Sequence, residues 1–399
     1  MKLDNLDQLA VKSFEDFIVR KDLLNLFRTY SIPTYVIESL LRRHCANTDE
    51  AELQEGLKIV RNQLHNQAVT PVQFSQQNVL DILNKGRAFF TLEEWKDFLI
   101  RSVGMEPTQL SETAKNVLFV RMIPFIERNY NMIELGPRGT GKSHLYQQFS
   151  PYSQLISSGK VTNSKMFVNR ASNEVGFVCN YDLVCMDEIQ NFSFDQEDGL
   201  GILKNYMGNG EFNQGKKSII ASSGIVMLGN IDRDVENQKK NEQLFSSLSP
   251  KMKDDTAFMD RIHAFVPGWE FPKLSTALLT NHFGLGSDFL AECFTKLRNI
   301  NRITSVSSRI EFGAALSYRD TKAVNKTLNG LLKLMQPNPE EPISEELLEW
   351  AIKVSLEYRR RVKEQQKKIR PTDFENTDFS YRLGENGIET FVTTPEIHN

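Results

Sequence analysis

Eight consecutive residues, Gly136-Pro137-Arg138-Gly139-Thr140-Gly141-Lys142-Ser143, limit what this chain can fold into more than any other stretch. The apolar run Met132-Ile133-Glu134-Leu135 before them suits a strand, and the residues after them suit a helix. This is the pattern G-x-x-x-x-G-K-[ST] in a strand–loop–helix setting. Its glycines let the chain curl until successive N–H groups face one point, and the following helix adds its positive end, so the loop is built for phosphate oxygens. Gly136, Pro137, Arg138, Gly139, Thr140 and Gly141 would form the cradle. Lys142 would reach the β- and γ-phosphates, and Ser143 would offer its hydroxyl to Mg²⁺. The expected ligand is ATP with Mg²⁺.

Downstream, Tyr181-Asp182-Leu183-Val184-Cys185-Met186-Asp187-Glu188 is an apolar strand ending in two acids, about 45 residues beyond Lys142. Phosphoryl chemistry uses such a pair: Asp187 to hold Mg²⁺ through water, Glu188 to orient and polarise the attacking water. With both acids present, hydrolysis is expected rather than nucleotide binding alone. A second strand, Gly224-Ile225-Val226-Met227-Leu228-Gly229-Asn230, closes on an amide. Asn230 suits a contact with the γ-phosphate or its water; a turn-forming edge asparagine is the other reading. Arg261 stands immediately before the apolar run Ile262 to Val266 and after a polar stretch, Asn237 to Asp255. That position suits a finger delivered across a subunit interface to a neighbour's γ-phosphate, where it stabilises transition-state charge. An ion pair with Asp260 or Glu270 is the plainer alternative. Arg319, at the start of a helical segment, either bends back onto the nucleotide of its own chain or lies exposed in the first turn.

The 399 residues exceed one ordinary domain. Residues 1–66 read as a helical N-terminal domain, from apolar spacings such as Leu6, Leu9, Phe14, Phe17 and Ile18. Residues 67–110 read as a Gln/Asn-rich connector and a helix opened by the capping-box sequence Thr91-Leu92-Glu93-Glu94. The P-loop core then spans 111–272, led in by an amphipathic helix carrying Leu118, Val120, Ile123 and Ile126. A helical lid follows over 273–370, and 371–399 is a polar tail without periodicity. Between Gly208 and Lys217, the residues Phe212, Gly215, Lys216 and Lys217 fit a hairpin set against phosphates, or equally a solvent loop. Arg359-Arg360-Arg361-Val362-Lys363 and Lys367-Lys368-Ile369-Arg370 in the last long helix, and Arg20, Lys21, Arg28, Arg42 and Arg43 near the start, read either as nucleic-acid contacts or as solvated faces.

Hydrophobic residues make up 40% of the chain and charged residues 25%, and the net charge is only −3, so contact with nucleic acid must come from local patches. The four cysteines are scattered, with no C-x-x-C pair, and read as reduced core residues rather than a zinc site. No apolar run reaches the ~18 residues a membrane span needs, and nothing resembles a signal peptide. A cytoplasmic protein with no membrane partner is expected.

The order of P-loop, Asp-Glu strand, Asn-ending strand, interface arginine and helical lid resembles that of AAA+ ATPases. It implies an α/β fold: an AAA+ P-loop NTPase core with a parallel sheet, a helical N-terminal domain and a helical lid. The wording of the motifs narrows the resemblance. Glu134-Leu135-Gly136-Pro137-Arg138-Gly139-Thr140-Gly141-Lys142-Ser143-His144, Phe194-Asp195-Gln196-Glu197-Asp198-Gly199, Phe265-Val266-Pro267-Gly268-Trp269-Glu270 and Arg360-Arg361-Val362-Lys363 resemble the BrxL family, Lon-like AAA+ proteins of BREX phage-defence systems. The likeness runs from about Glu93 to Phe379 and is weaker at Leu3-Asp4-Asn5-Leu6 and Val19-Arg20-Lys21-Asp22.

That resemblance implies a homo-oligomeric ring, hexameric and sometimes stacked, whose pore binds double-stranded DNA in a manner similar to MCM helicases. It implies other phage-defence proteins as partners. Lys142, Asp187, Glu188, Asn230 and Arg261 stand where the family's motifs place them. Family members carry a Lon-type C-terminal domain with a Ser-Lys dyad, whereas about 30 residues follow the lid here, so no protease activity is expected. The stretch before Glu93 is short for the small β-domain expected there, which leaves DNA contact to the pore loops. A protein-remodelling ATPase serving a separate protease or defence complex is the rival expectation, and a nucleotide-gated scaffold is a third.

Overall fold

A computed structural model of the protein describes residues 3–46, 50–65, 78–157, 160–169, 172, 174–194, 198–214, 217–231, 244–384 and 386–394. Of the stretches named above, residues 66–77 of the connector, Asp195 to Glu197, Gly215, Lys216 and residues 232–243 lie outside the described residues.

Five short strands form one parallel sheet: β1 Asn131–Gly136, β2 Ser153–Ile156, β3 Leu183–Met186, β4 Gly224–Asn230 and β5 Ala264–Pro267. Their order across the sheet is β5-β1-β4-β3-β2. Strands covered on both faces should be apolar at nearly every position, as β3, β4 and β5 are; β1 departs at the buried Asn131 and Glu134. Alternate residues divide between two cores as the pleat requires. Met132, Leu183, Cys185, Val226, Leu228, Ala264 and Val266 enter one core. Ile133, Leu135, Val184, Met186, Ile225, Met227 and Phe265 enter the other.

The first core is closed by helices Glu112–Ile126, Ser287–Leu297, Tyr318–Met335 and Glu345–Ile369, through side chains such as Ile123, Phe294, Leu328 and Ile352. The second is closed by Leu203, Tyr206 and Met207 of the helix Gly199–Asn209 and by Phe245, Met252 and Phe258. Two expectations are corrected here. The helix Glu112–Ile126 is not amphipathic: every residue from Val117 to Ile126 is buried, because it is covered on all sides. Of the helices expected as a lid, Glu345–Ile369 lies against β5 of the sheet, whereas Tyr318–Met335 and Ser287–Leu297 pack on Glu112–Ile126, since apolar spacing shows that a face is covered but not by what.

The N-terminal helices Thr34–His44 and Glu50–His65 build a small core of their own around Leu41, Leu57 and Val60. Residues 3–18 do not belong to it: Ala10, Phe14 and Ile18 enter the main core, and the short strand Ile18–Arg20 pairs antiparallel with Phe283–Leu285. Polar seams hold this joint. Arg101 donates to Asp4 at 2.6 and 3.1 Å, Asp7 takes the Nδ1 of His282 at 2.7 Å, and Lys21 Nζ meets Glu38 at 2.7 Å in a buried pair. Arg20 is paired with Asp22 and Arg42 with Asp288, so these cations are not an open basic face. The capping box at Thr91 is present, with Glu94 N–H 3.3 Å from Thr91 Oγ1 and Thr91 N–H 2.8 Å from Glu94 Oε2.

The C-terminal readings change most. Ser380–Leu383 pairs antiparallel with Ile310–Phe312 and with Thr390–Phe391, and Phe379 and Tyr381 are buried, so the segment read as a tail supplies two strands of a three-stranded sheet. The alternation Phe379, Tyr381, Leu383 is its signal. Arg359, Arg360, Arg361 and Lys363 are buried rather than solvated or available to nucleic acid. Each is answered from another part of the fold or from its own helix: Asp320 by Arg359 and Lys363, the Thr377 carbonyl by Arg360, Glu357 by Arg361. The segment Glu211–Gln214 does pair antiparallel with Lys217–Ile220 as a hairpin, with Lys217 and Ile220 exposed. Among the described residues no helix is long and apolar enough to cross a membrane.

Candidate functional site

Strand β1 ends in Gly136 and the helix Lys142–Gln148 begins six residues later, so the intervening loop must reverse direction in a very short span. Gly139 and Gly141 do this at φ +83° and +73°, values that side chains resist and glycine does not. The loop closes over a cleft of about 310 Å³ lined by Arg138, Gly139, Thr140, Gly141, Lys142, Ser143, His144, Asp187, Glu188 and Asn230. Residues separated by almost a hundred positions in sequence therefore meet at the C-terminal edge of the sheet, because β1, β3 and β4 are adjacent and parallel. The geometry fits a triphosphate: Lys142 Nζ is held at the loop by the carbonyls of Gly136 and Pro137, at 3.0 and 2.6 Å, and nothing lies within 4 Å of where a Cβ on Gly139 would be. Burial pushes the Lys142 ammonium below its ordinary value, against the pull of Glu134 and Asp187.

Glu188 has φ +52°, one of two described non-glycine residues on that side of the map. Its N–H is satisfied by Asp187 Oδ1 at 2.9 Å, so the two acids turn as a unit at the end of β3. A left-handed side-chain-bearing residue costs of order 1–3 kcal/mol and persists where its surroundings demand it. Both acids line a wall of the cleft that also holds Lys142 and Ser143. Asn230, the last residue of β4, is the neighbour of Gly136 in register and completes that wall.

Two residues behind the site receive no role from the sequence. Arg121, from the buried helix Glu112–Ile126, meets Glu134 of β1 through two bonds of 3.0 and 2.6 Å, and its third arm donates to the Thr140 carbonyl at 3.2 Å. Its guanidinium also lies over the Phe271 ring, 4.4 Å from the centroid. The pair is 2% and 0% exposed, and it braces the loop from behind. A lone acid inside an apolar strand and a lone arginine inside an apolar helix were the available signals. Leu274 joins them from the far side, its N–H bonded to the Gly139 carbonyl at 2.8 Å and its side chain against Gly141.

A larger groove, about 960 Å³, adjoins the cleft and shares His144 with it. It runs between the P-loop helix, the 274–280 segment and residues 21–38, and Thr34 N–H donates to Gln148 Oε1 at 2.9 Å across it.

Arg261 and Arg319 are not in the cleft. His263 N–H bonds the carbonyl of Asn131, the first residue of β1, so Arg261 sits at the N-terminal edge of the sheet, about 17 Å of strand away from the P-loop. Among the described residues Arg261 has no carboxylate partner; its guanidinium donates to the Ala257 carbonyl. Asp260 is engaged instead by Arg319 and Arg359, so the ion pair of Arg261 with Asp260 or Glu270 is not formed. Arg319 departs from the expectation of a contact with its own chain's nucleotide: its helix starts beside Asp260, at the same far edge, with the side chain 61% exposed.

A parallel sheet ordered β5-β1-β4-β3-β2, a phosphate loop after β1, paired acids after β3 and an amide after β4 define a P-loop ATPase domain of the AAA+ type. Comparison with known proteins names the branch. Residues 65–380 match the family model described as "Lon-like protease BrxL-like, ATPase domain", and residues 12–90 match "BREX system Lon protease-like protein BrxL N-terminal". The chain belongs to the BrxL family. It is 42% identical over 330 residues to the Lon-like protease BrxL of Bacillus cereus (strain H3081.97), a match covering 83% of this chain and 48% of that protein. It is 41% identical over 326 residues to the Lon-like protease BrxL of Escherichia coli O9:H4 (strain HS), covering 82% and 46%. The chain thus spans about half the length of the curated relatives it matches.

Proposed function

We propose that the protein is a Mg²⁺-dependent ATPase that works as a ring of identical subunits on double-stranded DNA in BREX-type phage defence. The observation that carries the ATPase reading is the meeting of Lys142, Ser143, Asp187, Glu188 and Asn230 in one cleft. In this reading the loop N–H groups and Lys142 bind the phosphates, and the adjoining groove takes base and ribose. Ser143 and Asp187 hold Mg²⁺, which neutralises charge on the β- and γ-oxygens. Glu188 orients the attacking water, and Asn230 contacts the γ-phosphate or that water.

The ring reading is supported by what the cleft lacks. Among the described residues it has no arginine for transition-state charge beyond Arg138 of the loop, while Arg261 and Arg319 stand together at the opposite edge beside the 84%-exposed Tyr318. An edge of that kind serves a neighbour's cleft, so both arginines are assigned in trans. DNA is the proposed substrate from family membership and from the exposed Lys217 hairpin. A protein-remodelling role is the second reading, favoured by the word protease in the relatives' names.

Mixing decides the first point. Lys142→Ala and Arg261→Ala subunits should each be inactive alone and recover ATPase when combined, because one supplies the finger and the other the cleft. No recovery would remove shared sites from the account. Duplex DNA should raise the rate and an unfolded protein should not; the reverse result selects the remodelling reading.

A further inference from the structure

The turn that carries Arg261 is gripped from behind by the two C-terminal helices. Asp260 accepts from Arg319 of the helix Tyr318–Met335, and its other oxygen takes Arg359 Nη2 at 3.3 Å and Gln366 Nε2 at 3.4 Å, both from Glu345–Ile369. Arg359 Nη1 also donates to the Ile262 carbonyl, and Gln366 to the Thr256 carbonyl at 3.2 Å. Asn131 Nδ2 holds the carbonyl of Arg261 itself at 3.1 Å. The main chain before, at and after Arg261 is therefore tied down. Its side chain is half-buried: Nε lies against Gly208, and Nη1 donates to the Ala257 carbonyl one helical turn back.

The anchor is itself buried and paired. Arg359 is fully buried and meets Asp320 at 2.8 Å, and Asp320 also takes Lys363 at 2.8 Å. Buried charge grids of this kind are weak sources of stability, because desolvation offsets most of the attraction. What such a grid does supply is fixed geometry, and a displacement of about 1 Å in a group that must meet a transition state can cost on the order of 10²-fold in rate.

We propose that Asp260 is a positioning residue: it ties the finger turn to the helices of its own chain and so aims Arg261 at the nucleotide of a second copy of this chain. The inference rests on the reading of Arg261 as a finger acting in trans. Through Asp260 the orientation of the C-terminal helices in one subunit sets the rate at the cleft of the next.

Asp260→Asn removes the charge and keeps the volume, and it leaves Arg359 paired with Asp320, so the fold is retained; Gln366→Met cuts the second tie without touching Asp260. Both are assayed as assembled full chains by steady-state ATPase, alone and mixed with Lys142→Ala subunits, beside Arg261→Ala. Asp260→Asn should lower kcat on the order of 10²-fold with KM unchanged, and Gln366→Met should show the same split with a smaller loss. Lys142→Ala subunits, whose finger edges are intact, should restore activity to both. A merely structural role would not produce a defect repaired by a neighbour. If Arg261→Ala is rescued and Asp260→Asn is not, or if Asp260→Asn turns over at the unmodified rate, the aiming role is overturned while the finger stands. If Arg261→Ala itself is not rescued, the finger reading fails and the aiming role falls with it.

Discussion

Arg121 and Glu134 form a buried two-bond pair directly behind the phosphate loop, and the arginine's remaining arm holds the Thr140 carbonyl. The pair links the central helix, the first strand of the sheet and the loop in one contact. Removing one partner leaves an uncompensated buried charge, so Arg121→Met should cost about 3–5 kcal/mol in urea unfolding. The double variant Arg121→Met, Glu134→Leu should recover most of that stability, since an apolar pair avoids the desolvation penalty. Nucleotide affinity should remain weakened in the double variant, because Thr140 has lost its donor. Titration with a fluorescent ATP analogue checks this, and affinity equal to the unmodified protein would reduce the pair to a structural element.

Glu188 is held at φ +52° and is assigned to orient water, so conformation and chemistry can be separated at one position. Glu188→Gln should retain ATP and abolish turnover. Glu188→Gly should also abolish turnover yet be more stable than Glu188→Gln by up to about 1 kcal/mol, because glycine tolerates this backbone. Equal melting temperatures for the two variants would argue against strain at this residue.

Asp320 supplies a pH dependence. Burial by itself raises its carboxyl, but Arg359, Lys363 and Ser317 more than offset this and bring it down to about 2 from 3.8. A carboxyl whose folded value lies below its unfolded value stabilises the fold above the unfolded value and loses that contribution as pH falls toward the folded one. The chain should therefore lose about 2 kcal/mol between pH ~4 and ~2 from this group. Asp320→Asn should be less stable at pH 7, where Arg359 and Lys363 lose their acid, and should show a flatter acid limb by circular dichroism. An unchanged acid limb would show that other carboxylates govern it.

Lys217 is exposed on the hairpin Glu211–Ile220 at the edge of the sheet remote from the cleft. If it meets a phosphate, Lys217→Ala should weaken duplex binding across all sequences and reduce the slope of log affinity against log salt by about 0.9. Basal ATPase without DNA should not change. Retention of the full salt slope would move the DNA contact elsewhere.

The parts of the site that are contiguous along the chain are legible from the residues alone. The cradle from Gly136 to Ser143 and the acids at Asp187 and Glu188 are short runs whose local conformation and chemistry are encoded by the residues themselves, as is the capping box at Thr91. The strand ending at Asn230 can be read for the same reason. Opaque features depend on partners far away in the chain. The run Arg359 to Lys363 looks like a solvated basic face until Asp320, Thr377 and Glu357 are seen to answer it.

By itself, then, the sequence determined that a phosphate loop follows a strand and that two acids follow another, because hydrogen bonding and backbone freedom within a few residues decide those forms. Tertiary structure decided which edge of the sheet each candidate occupies. Parallel packing of β1, β3 and β4 brought Lys142, Glu188 and Asn230 to one edge, and the start of the helix Tyr318–Met335 beside Asp260, in the turn before β5, sent Arg319 to the other with Arg261. The physical reason is that periodicity fixes which face of a helix is buried but carries no information about the direction in which that helix crosses the sheet.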